Sequence, residues 1–566
     1  MESTILEQKL QNVQASGGTK MNVSDFLLKQ LAAWGVKRIY GVIGDANLYL
    51  LDELSKQDQI QYIACRHECG SALMASAEAK LTGRLSVCLA TSGPGIANLL
   101  NGLADASMDH TRVLAITGQV ETNKIGTRSK QYIDQQKFIS PITEHSYLLI
   151  QANALPQVIK QCLVQSSTGG SVSHLSIPKD LYQQTVEGEI YLYEPHLHQK
   201  LHAPVKLVKE MAQMIAGAQR PVLLIGRGIY GVTGPLKELA EMITAAVVST
   251  MPARSLFPND HPLYAGGLGQ AGSEAASRLL AESDLIVILG ATWWPEDYVP
   301  GDKPIIQVDK KAKQIGLKHP VSKGVVGDLK AMIPQLLLEL KGMAEKGFSE
   351  KSISGNRQEW ADRVSFVNRE WRVRIEQEAH FEGSPIPPQR VIKAISDNVK
   401  EDAVIALDTG DHTLWFNRIF QSAGNQDILV SGRWRTLGFG LPAAIAAQLE
   451  FPNRQVVAIV GDGGVIQTLM EFQTAVEHHL PIVVIILNNG SYAMEKNRME
   501  QSGLNTFGSR LVNPDFAMIA QACGGLGLRA ETAEELEACL RDAFHKRQPT
   551  IIDVLTADAL VPHTKI

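Results

Sequence analysis

Asp462, Asn489 and Ser491 are residues whose types and spacing could do chemistry. Asp462 lies in Gly461-Asp462-Gly463-Gly464, directly after the apolar run 456–460. Glycines in such a turn let backbone N–H groups close on an anion, and the start of a helix draws a diphosphate. A carboxylate there adds a hard oxygen ligand, which suggests Mg²⁺ bridging to the diphosphate. Asn489 closes a second β-branched run, 482–487, and could give its side-chain oxygen, while Ser491 could give its backbone carbonyl. These groups meet if the two runs are neighbouring parallel strands, because α/β folds bind ligands at the carboxyl ends of their strands. An ordinary Rossmann turn with a capping Asp would show the same GDGG. Glu68 is a second candidate. It follows the strand-like run 60–64 and opens an Ala-rich helical stretch. An acid in an apolar pocket has a raised pKa and suits proton transfer, whereas a first-turn Glu that only complements the helix dipole would look the same in sequence.

The elements that would carry these residues read as strand, turn and helix in alternation. After Gly461 the apolar spacing predicts one helix running to Leu480, stopped by Pro481, and then the second strand. Across 566 residues the same alternation recurs, with 45% hydrophobic and 20% charged residues, as in a globular α/β protein. The fold class expected is α/β, with three doubly wound parallel-sheet (Rossmann-like) domains. Residues 1–20 read as a disordered leader and 21–190 as a first domain. Residues 204–340 read as a central domain, 341–384 as a charged helical connector, and 385–566 as a last domain. In the first domain 120–140 is polar and aperiodic, as in an active-site loop. In the central one, Gly226-Arg227-Gly228, Thr292 and Asp309 follow three of the expected strands. They would suit an ADP-type ligand or be purely structural. A net charge of −5 gives no reason to invoke nucleic acid, and six cysteines without a CxxC suggest neither zinc nor a disulfide framework. With no signal segment and no apolar run of about eighteen residues, a cytoplasmic protein without a transmembrane segment is expected.

Six motifs in order carry a family resemblance: RHE (66–68), TSGPG (91–95), DH (109–110), TLGFGLPAAIAA (436–447), GDGG (461–464) and LNNGSYAM (487–494). Together they resemble the pyruvate oxidase / acetolactate synthase branch of the thiamine-diphosphate (ThDP) enzymes. The resemblance implies that the first domain binds the cofactor's pyrimidine and the last its diphosphate. It also implies active sites between the subunits of a homodimer or homotetramer. Glu68 would be the partner of the pyrimidine N1′, favouring the imino tautomer whose N4′ takes the C2 proton. Asp462, Asn489 and the Ser491 carbonyl would be the Mg²⁺ ligands. Gly410, Asp411, His412, Gly463 and Gly464 would hold the diphosphate. Leu437, beside Thr436, would force the bend that brings N4′ to C2, a proximity effect. Gly461, Tyr492, Ala493 and Met494 complete the implied cofactor contacts.

Within the branch, GVIGDANLYLLDEL (41–54) looks more like pyruvate oxidases and pyruvate decarboxylases than acetolactate synthases. Residues 290–319 resemble the FAD-binding half of pyruvate oxidases, which implies FAD near Gly228, Thr292 and Asp309. Gln131 is the implied catalytic glutamine of the 120–140 loop, with Lys130 where pyruvate oxidases commonly carry an aromatic. Glu495, in YAMEK, resembles the acid/base glutamate of decarboxylases, which works with an Asp matched here by Asp45. The paired histidines of those enzymes are missing from 120–140. The implied reaction is decarboxylation of a 2-oxo acid, pyruvate by the resemblance, with the remaining fragment oxidised through FAD. Condensation with a second oxo acid, as in acetolactate synthases, stays open. So do protonation to an aldehyde by Glu495 or Asp45, and a cofactor-binding relic without turnover.

Overall fold

The computed structural model describes residues 20–143, 145–193, 201–345 and 357–565. The chain clusters into two compact units, residues 1–198 with 445–450, and residues 199–444 with 451–566.

The first unit is built on six parallel strands: β1 (Arg38–Gly41), β2 (Gln61–Ala64), β3 (Ser86–Ala90), β4 (Val113–Gln119), β5 (His145–Leu148) and β6 (Val172–Pro178). Their spatial order is β2-β1-β3-β4-β6-β5. β3, β4 and β6 are buried along their whole length; β3 and β4 accordingly run without polar alternation, while the polar residues of β6, Ser173 and His174 among them, are hydrogen-bonded inside. Helices α1 (Glu68–Thr82) and α2 (Pro94–Met108) pack tightly because their facing residues are small. A Cβ on Gly102 would fall 2.5 Å from that of Ala72. Beyond that contact Lys80 reaches Asp105 and Asp109, both at 2.7 Å, and the Ser76 hydroxyl adds a 2.6 Å bond to Asp105.

The second unit holds two further six-stranded parallel sheets. The central one contains β7 (Pro221–Ile225), β8 (Ala246–Ser249), β9 (Tyr264–Gly267), β10 (Leu285–Leu289), β11 (Ile305–Asp309) and β12 (Lys323–Val326), ordered β9-β8-β7-β10-β11-β12. The last contains β13 (Val404–Leu407), β14 (Asp427–Val430), β15 (Val456–Gly461), β16 (Val483–Asn488), β17 (Leu526–Ala530) and β18 (Thr550–Leu555), ordered β14-β13-β15-β16-β18-β17. Helix α3 (Gln358–Ala379) carries Trp360, Val364, Val367, Trp371 and Ile375 at helical spacing into a core shared with both sheets.

One expectation needs correction. The single helix predicted from Gly461 to Leu480 is three short pieces, Asp462–Val465, the 3₁₀ turn Leu469–Glu471, and Phe472–Glu477. Gly463-Gly464 contribute little helix propensity. Thr468 turns its hydroxyl out of the segment to the Gly438 carbonyl at 2.9 Å, locking the break.

A buried polar chain fixes the inner end of the 120–140 loop. Thr117 gives its hydroxyl proton to Gln135, so it accepts from His174 Nε2 at 2.8 Å, and Ser146 donates to His174 Nδ1 at 2.7 Å. Burial pushes the His174 pKa down to about 3, so the folded ring is neutral. The unfolded ring takes a proton below about 6.5, so this stabilisation is present above that pH and is lost as pH falls toward 3. His174→Gln should therefore reduce the stability lost between pH 7 and pH 5 by about 2 kcal/mol, read from urea midpoints of variant and wild type. An undiminished pH dependence would contradict a neutral buried His174.

Candidate active site

In the last sheet β13 and β15 are hydrogen-bonded neighbours, and β14 lies beyond β13 while β16 lies beyond β15. Successive connections thus leave in opposite directions at this point, where open α/β sheets form a crevice. Two turns emerge there, Asp408-Thr409-Gly410-Asp411-His412 and Gly461-Asp462-Gly463-Gly464. β15 also pairs with β16 as the strand reading required, with Gly461 opposite Leu487, so Asn489 and Ser491 emerge next to Asp462.

Asp462 is 2% exposed. One oxygen accepts from the Gly463 N–H at 2.8 Å; the other accepts from the Gly490 N–H at 2.8 Å and from Asn513 Nδ2 at 2.7 Å. Desolvation raises its pKa against these bonds. Asn489 folds its oxygen back to the Ser491 N–H at 3.1 Å and directs its Nδ2 to Asp411 at 3.5 Å. Burial, with the Asp462 charge adding to it, pushes Asp411 up to about 6. Two carboxylates short of positive charge thus face the same turn.

His412 lies fully buried, and its Nε2 donates to the Asp408 carbonyl at 3.0 Å. Desolvation lowers its pKa to about 4, so the ring is neutral and Nδ1 carries a lone pair. That Nδ1 and the Ser491 hydroxyl are buried without a hydrogen-bond partner. The glycines are spent on close approach. A Cβ on Gly410 or Gly461 would strike the His412 ring, at 2.5 and 3.1 Å, and one on Gly463 the Tyr492 ring at 2.5 Å.

Sequence reasoning missed Asp408 and Asn513. Asp408 accepts from the N–H groups of Thr409, Gly438 and Phe439 at 2.7, 3.1 and 3.2 Å, so it ties this turn to the loop of Thr436 and Leu437. Burial lifts it to about 7 despite those bonds. Its place in DTGDH directly after a strand was the available signal. Asn513 bridges Asp462 and Asn488 with one amide nitrogen, the latter at 2.8 Å, from a loop without periodicity. Thr436 closes on its own loop, donating to the Leu437 carbonyl at 2.9 Å, and Leu437 is half-buried. Helix α4 (Ala493–Gln501) starts with Ala493 buried and Met494 packed against the core, while Glu495 is exposed and pairs with Arg498 at 3.1 Å.

In the first unit Glu68 is 8% exposed and accepts from Asn98 Nδ2 at 2.9 Å. His67 caps α1 by accepting from the Cys69 N–H at 3.0 Å. Asp45 is exposed and pairs with Lys179 at 2.6 Å. Gln131 has φ +62° and sets its carbonyl against Gly93, where a Cβ would fall 2.8 Å away. The 120–140 loop is held at both ends, by Gln119 to the Ile133 carbonyl at 3.1 Å and by Thr122 to Asp180 at 2.6 Å.

In the central sheet the order reverses between β7 and β10. There Gly228 donates to the Gly290 carbonyl at 2.9 Å, and a Cβ on Gly228 would come 2.6 Å from the Gly290 Cα. Thr292 is half-buried just beyond. Asp309, buried at the end of β11, accepts from the Lys311 N–H at 2.8 Å, and desolvation raises its pKa. Two cations approach the Trp293 ring, Lys318 at 5.4 Å and Arg435 at 5.5 Å from its centre.

Three parallel sheets, two of them with acid-bearing turns at a switch point or strand end, define an α/β enzyme built to hold a phosphorylated cofactor. Three family models agree: the N-terminal TPP-binding domain of thiamine pyrophosphate enzymes over residues 21–138, their central domain over 208–336, and their C-terminal TPP-binding domain over 408–554. The Bacillus subtilis protein YdaP, named as thiamine pyrophosphate-containing, is 34% identical over 93% of this chain and 90% of its own. An acetolactate synthase of Mycobacterium bovis is 33% identical over 94% and 88%, and a pyruvate oxidase of Lactiplantibacillus plantarum 28% identical over 95% and 89%. The chain belongs to the thiamine pyrophosphate enzyme family and is a ThDP-dependent enzyme of the branch that holds the 2-oxo acid-converting pyruvate oxidases and acetolactate synthases. Among the described residues no helix is long and apolar enough to cross a membrane.

The packing of the diphosphate-side turn gives a direct test. A Cβ on Gly464 would lie 2.8 Å from Asp408 Oδ2, which backbone bonds hold in place. Gly464→Ala should lower the thermal midpoint by an amount equivalent to about 1–3 kcal/mol. Gly234→Ala, with nothing within 4 Å, should not lower it. Equal midpoints in the two variants would show that the turn is looser than described.

Proposed function

We propose that the protein decarboxylates a 2-oxo acid, pyruvate, using ThDP and Mg²⁺, and passes the electrons of the remaining fragment to FAD. The observation that carries this reading is the pair of desolvated carboxylates, Asp462 and Asp411, beside the unspent His412 Nδ1 and Ser491 hydroxyl. Such a turn suits a divalent cation with a diphosphate, since Mg²⁺ prefers one or two carboxylates plus phosphate oxygens. Asp462, Asn489 and the Ser491 carbonyl would hold the ion. The backbone N–H groups of Gly410, Asp411, His412, Gly463 and Gly464 would line the diphosphate, with the His412 ring itself turned to the Asp408 carbonyl, and Leu437 would support the bend of the cofactor. ThDP, when bound, supplies an electron sink for the carbon that loses CO₂. Glu68 serves as the acid at the pyrimidine nitrogen, in a homodimer or homotetramer where one subunit's Glu68 faces the cofactor of the other. On this reading 21–190 is the pyrimidine-binding domain and 385–566 the diphosphate-binding domain.

On this reading FAD would bind at the central sheet. The β9-β8-β7-β10-β11-β12 order is that of dinucleotide-binding folds, and Gly228, Thr292 and Asp309 end the adjacent strands β7, β10 and β11. The likeness to a pyruvate oxidase supports the oxidase reading, and the acetolactate synthase at higher identity supports condensation as the second. Protonation has less support, because Asp45 and Glu495 are exposed and each is engaged by a cation.

Purified protein should show a flavin absorbance band and, with pyruvate, ThDP, Mg²⁺ and an added two-electron acceptor, should release CO₂ and yield acetate, or acetyl phosphate when inorganic phosphate is present. Acetolactate from a colourless protein would replace oxidation by condensation, and acetaldehyde would sink both. Asp462→Ala should abolish Mg²⁺-dependent ThDP binding, followed by tryptophan fluorescence. Asn513→Ala should raise the Mg²⁺ needed for half-saturation by about 10- to 100-fold, as loss of a partner to a metal ligand does. An unchanged Mg²⁺ requirement in both variants would remove the metal from this turn.

A further inference from the structure

Asn98 stands in the first turns of α2, and its side chain ends on Glu68. The contact is a 2.9 Å bond from Asn98 Nδ2 to Glu68 Oε2, and the Glu68 side chain is buried. Neither helix is free to slide away. Gly102 lies against Ala72 with no room for a methyl group, and Lys80 of α1 is bonded to Asp105 of α2 and to Asp109 just past its end. The Asn98 amide is therefore presented to Glu68 by a rigid pair of helices.

We propose that Asn98 is a positioning residue that decides which oxygen of Glu68 carries the exchangeable proton. An amide NH₂ can only donate. Oε2 is already engaged by that N–H, and a carboxyl O–H oxygen is the weaker acceptor, so a proton on the carboxyl is favoured on Oε1. Oε1 is accordingly the oxygen that hands its proton to the pyrimidine nitrogen and receives it back. When the proton leaves Oε1, the carboxylate keeps the Asn98 N–H on Oε2, which offsets part of the new negative charge. Without that donor either oxygen can hold the proton, and the acid spends part of its time with the proton misdirected. The inference rests on the role proposed above for Glu68.

The test measures hydrogen–deuterium exchange at ThDP C2 in the holoenzyme with Mg²⁺, by acid quench and proton NMR, beside ThDP affinity from tryptophan fluorescence. Asn98→Ala should slow exchange about 10- to 100-fold while changing ThDP affinity by less than about threefold. The double variant Asn98→Ala/Glu68→Gln should exchange no more slowly than Glu68→Gln alone, because Asn98 acts only through Glu68. Asn98→Asp keeps the shape and removes the donor; it should also slow exchange and displace the acid limb of its pH profile upward, as a like charge does. If Asn98→Ala is too unstable to purify, Asn98→Asp decides alone. Wild-type exchange rates in either single variant, or slowing by the same factor in the Glu68→Gln background, overturn the proposal. A wild-type protein that binds ThDP yet shows no C2 exchange, or exchange indifferent to Glu68→Gln, overturns the role of Glu68 and this inference with it.

Discussion

A carboxylate stripped of water at the end of a central strand is the constraint on which the diphosphate-side architecture depends. Asp462 leaves β15 with 2% of its surface exposed. An ionised carboxylate in that position is costly unless donors or a cation meet it. The protein supplies three donors, the amides of Gly463 and Gly490 and the side chain of Asn513. Each comes from a different stretch, so the carboxylate holds together the GDGG turn, the turn after β16 and the 503–515 loop. Asp408 repeats the device one strand over, gathering three N–H groups from two loops. The two buried acids convert separate loops into one rigid rim along the carboxyl ends of β13 and β15.

The topology explains why the rim lies there. The first and last sheets share one order, second strand, first, third, fourth, sixth, fifth, while the central sheet runs third, second, first, fourth, fifth, sixth. Each order has one switch point, and in the central and last sheets it carries closely packed turns. In the last sheet these are the two acid-bearing turns. In the central sheet they are Gly228 and Gly290, whose glycines are used against each other. A ligand at the central crevice would thus be recognised by what stands around the glycines, such as Thr292, Asp309 and Trp293 with its two cations, rather than by their bare amides.

Much of this was legible in the sequence for a physical reason. Strands buried on both faces leave continuous apolar runs, so 456–460 and 482–487 could be read as neighbours of a parallel sheet, and Gly461↔Leu487 pairing agrees. The edge strands His145–Leu148 and Lys323–Val326 are less buried and polar or glycine-bearing, and leave no such trace. The broken helix after Gly461 was illegible because the break is made by Thr468 reaching Gly438, some thirty residues away in sequence. Asn513 stayed hidden for the same reason: a side chain that acts across 51 residues has no local periodicity to betray it. Asp45 and Glu495 show the opposite failure. Their motif neighbours were clear, but only the structure shows each one exposed and bonded to a cation.

Charge balance at the last sheet narrows what can bind there. His412 was matched to the diphosphate by its motif, yet its Nε2–H is committed to the Asp408 carbonyl and burial keeps the ring neutral. It offers a lone pair at Nδ1, which repels a phosphate oxygen and accepts only a proton donor. Residues 408–412 and 461–464 contain neither lysine nor arginine. The turns therefore present backbone N–H groups together with Asp411 and Asp462, two groups that would repel a diphosphate by themselves. Helix-start amides carry partial charges only. A compact multivalent cation would let these turns hold an anion beside their carboxylates, and the oxygens proposed for it, those of Asp462, Asn489 and Ser491, are hard donors of the kind that suit Mg²⁺.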